Sequence, residues 1–341
     1  MRKSKVSIGK FIELRKEAGL TQKDLAASSG VSINVIKQIE TGRSGTNLEN
    51  FRAIADTFKV PISKIVKKYD EETKVINIIN LKNRSTKTTV VQNLGYELAQ
   101  KGFKILIIDA DYKCGLSYLF GYDFNDEFNL YEALKKSTYQ KPVDIKEYIR
   151  STKYKNLDII VNDFRFNLLN ERIYHVAYKE FFFERIFKNI INNGSYDYVI
   201  FDCNSSGSLI TSNILRISNY VIIPVVMTLD KVIGVEMLLE NIKEIKVTNK
   251  NLELLRFLNC KKDERILDDK AIKYMKNIEK DYGISFLDIS ISNDEDVPKS
   301  QLKKMPLKPY LDKYKIYNRA REDFKSLAKK IIKIALSDWV L

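Results

Sequence analysis

An apolar run, Val75-Ile76-Asn77-Ile78-Ile79, leads into Lys82-Asn83-Arg84-Ser85-Thr86-Lys87-Thr88-Thr89, and a helix-like run from Val90 to Ala99 follows. Strand, tight loop and helix N-terminus in that order commit the segment to an α/β unit. They also make an anion cradle, because backbone N–H groups and the helix dipole converge on the loop. Two lysines and adjacent threonines supply cationic and hydroxyl groups, yet the loop contains no glycine. Glycine suits such loops because it visits positive φ and lets phosphate approach without meeting a Cβ.

The alternation continues along the chain. Val75–Ile79, Ile105–Ile108, Leu157–Val161, Tyr198–Phe201, Val221–Val225, Leu254–Leu258 and Phe286–Ile289 are short and mostly apolar, with amphipathic stretches between them. Runs of this kind fit strands covered on both faces by helices, hence a mostly parallel sheet, and ligands in such sheets bind beyond the strands' carboxyl ends. Asp109-Ala110-Asp111 and Asp202 lie at two of those ends. Singly, such an aspartate is usually solvated or capping. Beside a phosphate cradle, carboxylates can organise Mg²⁺ and a water nucleophile.

Residues 6–68 read differently, as short helices with turn signals between them. Thr21 is placed to cap the helix beginning Gln22-Lys23-Asp24, with Asp24 completing a capping box. Ser29-Gly30-Val31 makes a turn, Ser32 is placed to cap the next helix, Ile33–Glu40, and Thr41-Gly42 ends it. Val35, Ile36 and Ile39 form its apolar stripe, while Ile33, Asn34, Lys37 and Gln38 fall on the other side. Two short helices joined by a glycine-containing turn form a helix-turn-helix. The expected boundaries are residues 1–68 for this domain, 69–73 for a short linker, and 74–341 for the α/β domain with a basic C-terminal helix.

Charge sharpens the reading. The chain of 341 residues has a net charge of +14. Residues 1–70 hold 14 Lys/Arg against 7 Asp/Glu, residues 299–333 hold 12 against 3, and the rest is nearly balanced. Basic charge gathered at two places favours a polyanion such as DNA. In 299–333, Phe324, Leu327, Ile331, Ile332 and Ala335 recur at helical spacing and leave several lysines outside. Those lysines read as a DNA-backbone patch or as a solvated helix face. No run approaches the roughly 18 apolar residues of a membrane span, and the N-terminus lacks the apolar segment of a signal peptide; a cytoplasmic protein is expected. Three dispersed cysteines and one histidine match no zinc or iron spacing.

Thr21-Gln22-x-x-Leu25-Ala26, Gly30-Val31-Ser32, Ile36-x-x-Ile39-Glu40-x-Gly42 and the tail from Leu48 to Pro61 resemble the Cro/repressor (XRE) helix-turn-helix family. The resemblance implies DNA-facing positions at Gln22, Ser32, Ile33, Asn34, Lys37, Gln38 and Arg43, with Asn34 and Gln38 suited to adenine edges. Residues 74–335 resemble the ParA/MinD-type P-loop ATPases, whose "deviant" phosphate loop reads Lys-Gly-Gly-x-Gly-Lys-Thr-Thr. That likeness extends through Asn80, Asp109-x-Asp111, Tyr196–Ser206, Ser218–Val225 and Ile291–Val297.

This second resemblance implies a P-loop NTPase-like α/β fold that binds ATP and Mg²⁺. Nucleotide would be held by Lys82, Asn83, Arg84, Ser85, Thr86, Lys87, Thr88 and Thr89, with Asn259 on the adenine side. Thr88 and, through water, Asp202 would hold the metal. Asp111 would position the attacking water, and Lys82 would reach the partner subunit's phosphates. It further implies a nucleoid-associated homodimer, a centromere-binding partner protein, and nonspecific DNA contact through residues such as Lys325, Lys329 and Lys330.

Asn83, Arg84 and Thr86 occupy the three glycine positions. A β-branched residue at positive φ costs roughly 1–3 kcal/mol, or one to two decades of affinity at about 1.4 kcal/mol per decade. Weak or absent hydrolysis is therefore expected. Three functions fit the sequence: a partition or regulatory protein of a plasmid or mobile element that represses its own operator; a repressor whose second domain is a non-catalytic dimerisation remnant; and, with less support, an ATPase carrying a regulatory DNA-binding head.

Overall fold

The computed structural model describes residues 8–41, 48–60, 65, 73–82, 86–122, 127–139, 142–204, 206–262 and 268–337. The chain divides into two compact units, residues 1–71 with 329–341, and residues 72–328. The division falls within the final helix.

In the first unit four helices, α1 (Ile8–Glu17), α2 (Gln22–Ser29), α3 (Ile33–Thr41) and α4 (Leu48–Thr57), enclose a small core. Phe11, Leu25, Ile36 and Ile54 are fully buried in it, with Ile39 and Phe51 nearly so. The capping box at α2 is complete: Thr21 Oγ1 accepts from Asp24 N, and Asp24 accepts from Thr21 N. Gly30 takes the left-handed conformation, φ 70°, and closes α2 by donating to Ala26 O. This is the helix C-terminus that glycine fits without strain.

In the second unit the chain runs β1 (Lys74–Ile78), α5 (Lys87–Gln100), β2 (Ile105–Ala110), α6 (Gly115–Leu119), α7 (Leu130–Thr138), β3 (Arg150–Ser151), β4 (Leu157–Ile160), α8 (Leu169–Tyr174), α9 (Phe182–Asn192) and β5 (Tyr198–Cys203). It continues through α10 (Leu209–Ile217), β6 (Tyr220–Val226), α11 (Leu229–Val232), α12 (Val235–Lys246), β7 (Leu254–Lys262), α13 (Asp269–Tyr282), β8 (Phe286–Ser292), α14 (Asp296–Leu302), α15 (Leu307–Tyr314) and α16 (Arg319–Ser337).

The sheet order is β3-β4-β2-β5-β1-β6-β7-β8, parallel throughout except where β3 meets β4. The seven expected strands form, several running further at the carboxyl end, as β7 does to Lys262. β3 was not anticipated, since two residues at an edge carry no periodic signal. β2 and β5 are buried at every position, as strands covered on both faces must be. From β1 the chain moves outward to β2 and β4, returns with β5, and then builds β6, β7 and β8 on the other side. The reversal brackets β1, and the crevice beyond its carboxyl end is where such sheets bind ligands. The loop 79–86 leaves β1 there.

Candidate nucleotide site and DNA-reading helix

α5 begins at Lys87, directly after Thr86, whose φ of 67° and ψ of 13° are left-handed. The backbone makes the turn that glycine would make, with a β-branched residue in place. Thr86 offers no capping bond to the helix; its side chain is hydrogen-bonded instead to Cys260 on β7. Asn80 anchors the other side of the loop, accepting from Lys82 N and donating to Pro224 O on β6, both at 2.8 Å. Asn83, Arg84 and Ser85 lie outside the described residues.

Lys87 is buried, and its Nζ lies 3.4 Å from Lys82 O. Desolvation lowers its pKa, opposed by the charges of Asp202 and Asp111. Thr88 Oγ1 donates to Asp202 Oδ2 at 2.7 Å, which sets the first turn of α5 against the end of β5. Asp202 is fully buried, and its other oxygen, Oδ1, has no protein partner. Burial, with Asp109 next, drives its pKa well up. An oxygen left unmatched in this way signals a missing donor or cation. Thr88 and Asp202 are the hard oxygen ligands Mg²⁺ uses, and it normally completes its shell with water and ligand phosphates. The residues present therefore fit the group: Lys87 and the α5 N-terminus would take phosphate, and Thr88 and Asp202 the metal.

Asp109 and Asp202 are register partners on adjacent strands. Asp109 is pinned by Ser117, which donates from both N and Oγ at 2.7 Å, while Asn162 N donates to Ser117 Oγ at 2.9 Å. Asp111, just past β2, accepts from Lys113 N at 3.0 Å, and its charge reaches both Lys87 and Asp202. Lys82 is half-buried; a side chain built at Gly234 would meet its Cε at 3.6 Å, and Gly234 itself holds φ 93°. Lys82 thus runs past the start of α12 of its own chain. Asn259 has an unpartnered buried Oδ1 and lines, with Met227 and Phe286–Ser290, a cavity of about 230 Å³ at the end of β7. The structure brings Lys82, Lys87, Thr88, Asp111 and Asp202 together at the end of β1.

Ser117, Asn162 and Cys260 escaped the sequence reading. The cysteines read as dispersed, yet Cys203 follows Asp202, Cys260 touches Thr86, and Cys114 N donates to Asp111 O. All three are buried thiols. Asn93 was also missed, although a buried asparagine inside the apolar run of α5 is a signal in its own right.

In the first unit, Ser32, Asn34, Lys37 and Gln38 are exposed and Ile33 is half-buried. Gln22 is committed internally: its Nε2 donates to Glu40 Oε2 at 2.7 Å, beside the Arg15–Glu40 ion pair at 2.6 Å. Arg43 lies outside the described residues. On α16, Phe324, Leu327, Ile331 and Ala335 are buried, whereas Ile332 is only half-buried. Lys329 is exposed, Lys330 half-buried, and Lys325 pairs with Glu322 at 3.1 Å. Among the described residues no helix is long and apolar enough to cross a membrane.

A family model described as an AAA domain matches residues 73–254, and one described as a helix-turn-helix matches residues 11–65. The chain is 31% identical over 211 residues to the Methanocaldococcus jannaschii protein MJECL24, covering 60% of this chain and 80% of that one. It is 28% identical over 272 residues to the virulence plasmid ParA family protein pGP5-D of Chlamydia psittaci, covering 78% and 96%. Among solved structures, the cobyrinic acid a,c-diamide synthase of Mycobacterium smegmatis, with a bound ATP analogue and magnesium, superposes with a TM-score of 0.62 at 20% identity, covering 76% and 95%. Since the first family model spans more than half of the chain and falls on the strands that carry this loop and its carboxylates, the chain belongs to the ParA/MinD-type P-loop ATPase family, with an XRE-type helix-turn-helix domain preceding that fold.

Proposed function

We propose that this ParA-like DNA-binding protein acts in the partition or regulation of a plasmid or other mobile element. The helix-turn-helix reads an operator or centromere-like site through Asn34, Lys37 and Gln38 and represses the protein's own transcription. The second domain binds ATP with Mg²⁺, forms the homodimer, and contacts DNA nonspecifically through basic residues of its C-terminal segment, Lys325, Lys329 and Lys330 among them. Such a dimer places two recognition helices on related half-sites. The protein then works in the cytoplasm, on the nucleoid, alongside a centromere-binding partner.

The observation that carries the nucleotide part is the Thr88–Asp202 pair, whose second carboxylate oxygen is buried without a protein partner. The plasmid ParA family relative supports the replicon role, and the ATP analogue and magnesium bound by the structural neighbour support the ligand. Bound there, ATP would rest on Lys87 and the first turn of α5, with Asp111 placed to orient water and Lys82 at the loop's edge.

The strained Thr86 favours a second reading, in which the domain keeps the fold and dimerises without nucleotide. Titration of the full chain with ATP, with and without Mg²⁺, separates the two. Saturable binding that Asp202→Asn loses and that shifts dimerisation or DNA affinity supports the first. Indifference to ATP at millimolar concentration supports the second.

A further inference from the structure

Aromatic side chains gather on the surface of the segment that joins α8 to α9. Tyr139, Tyr174, Tyr178 and Phe181 are 60, 63, 77 and 42% exposed. Cationic groups lie against three of them. Arg172 Nη1 donates to the Tyr139 hydroxyl at 2.8 Å, Lys179 Nζ lies 3.6 Å from the centre of the Tyr174 ring, and Arg216 Cζ lies 4.8 Å from that of Phe181. Ring surface left to water in this amount marks a place where something else binds.

The segment is held from beneath. The buried Asn213 of α10 donates from Nδ2 to Lys179 O at 2.9 Å and accepts at Oδ1 from Phe183 N at 3.1 Å, so both ends of the turn that carries Phe181 are fixed. Tyr178, just before that turn, has φ 54° and ψ 42° with no capping bond to it. A ring-bearing residue rarely takes this left-handed geometry, and such outliers gather at binding surfaces. A surface already set in its bound shape loses little freedom on association.

Charge selects the occupant. Between residues 171 and 185, Glu171, Glu180 and Glu184 alternate with Arg172, Lys179 and Arg185. No ion pair among the described residues uses any of the six. Three exposed carboxylates beside the rings oppose a nucleic acid, an anionic membrane or an acidic peptide. A second copy of this chain answers both signs at once, because a twofold axis can set acidic positions of one protomer against basic positions of the other. The four rings offer roughly 400–600 Å², which is half or more of the about 800 Å² per partner in a standard interface.

We infer that this surface joins two copies of the chain without nucleotide, through Tyr and Phe rings bordered by reciprocal Glu–Arg and Glu–Lys pairs. It shares no residue with the phosphate loop, with Asp109, Asp111 and Asp202, or with α3. The inference therefore rests on neither the nucleotide nor the DNA reading, and the face is separate from any dimer that ATP would bridge.

The full chain, free of nucleotide, is followed by sedimentation equilibrium across the micromolar range. The wild type is expected to dimerise, and Tyr178→Ser to weaken the dimer about tenfold or more, as loss of a central ring at an interface does. Two further proteins locate the face. One carries Glu171→Lys, Glu180→Lys and Glu184→Lys; the other carries Arg172→Glu, Lys179→Glu and Arg185→Glu. Each presents a single sign and should be monomeric alone, and the two mixed in equal amounts should pair again. A monomeric wild type overturns the inference and gives the face to a different partner. A dimer that persists in either charge-reversed protein or is unmoved by Tyr178→Ser also overturns it. So does a mixture that stays monomeric although both proteins melt like the wild type.

Discussion

Thr86 stands where this family's phosphate loop carries glycine, and it holds left-handed backbone geometry while its side chain is hydrogen-bonded to Cys260 on β7. Strain at a β-branched residue with positive φ is about 1–3 kcal/mol. A hydrogen bond returns about 1 kcal/mol, and glycine would lose a further 0.5–1 kcal/mol through the unfolded chain's freedom, roughly. The terms nearly cancel. Thr86→Gly should therefore change stability by less than about 1 kcal/mol, and Cys260→Ala should cost about 1–2 kcal/mol in the wild type but less in the Thr86→Gly background. Urea unfolding of the four proteins gives the coupling directly. Additive costs would show that the thiol does not support Thr86.

Asp109 links the site to pH. Burial pushes its pKa up to about 7, against donors from Ser117 and Asp111 N. The folded value lies above the ordinary 3.8, so the native state holds this proton more tightly than the unfolded chain does. Its contribution to stability is complete below about pH 4 and is lost as pH rises through about 7. A shift of this size corresponds to at most roughly 4 kcal/mol. Urea midpoints measured from pH 5 to pH 8 should fall in the wild type, and Asp109→Asn should flatten that part of the curve. A flat wild-type profile would mean the carboxylate stays ionised throughout.

Gly95 tests how tightly α5 lies on the sheet. A methyl group added there would sit 2.9 Å from Ile107 Cγ2, inside contact distance, on a strand with no freedom to move. Alanine gains about 1 kcal/mol in helix propensity, whereas overpacking a closed core costs about 1–3 kcal/mol. Gly95→Ala should lower stability by about 1 kcal/mol net, seen as a reduced urea midpoint at unchanged slope. A gain would show that Ile107 yields without penalty.

The fold was legible because its signals are local and repeated. Each long strand begins as an apolar run, and α2 carries Thr21 and Asp24 at its start and Gly30 at its end, positions where capping chemistry leaves little choice. Lys87, Thr88 and Asp202 could be placed because strand ends in a parallel sheet converge. What stayed hidden was nonlocal. Nothing near Cys260 in sequence says that it meets Thr86, and the bond from Gln301 to Thr89 spans 212 positions. The role of Gln22 was hidden for the same reason, since its amide donates to Glu40, eighteen residues away.

That bond makes a distinction within the helix-turn-helix that DNA binding can test. Asn34 and Gln38 lie on the exposed face of α3, whereas Gln22 braces Glu40 together with Arg15. Replacing Asn34 and Gln38 with Ala should remove base-edge contacts worth about 1–3 kcal/mol each. Site-specific binding should then fall by about two decades or more at 1.4 kcal/mol per decade, with salt-dependent nonspecific binding retained, because neither residue neutralises a phosphate. Gln22→Ala should instead lower the domain's stability by about 1 kcal/mol and weaken specific and nonspecific binding in similar proportion. Footprinting on the region upstream of the protein's own gene, with thermal melts of each variant, resolves the two behaviours. A Gln22→Ala protein that melts like the wild type yet loses its footprint would move Gln22 from the brace to the DNA-reading surface.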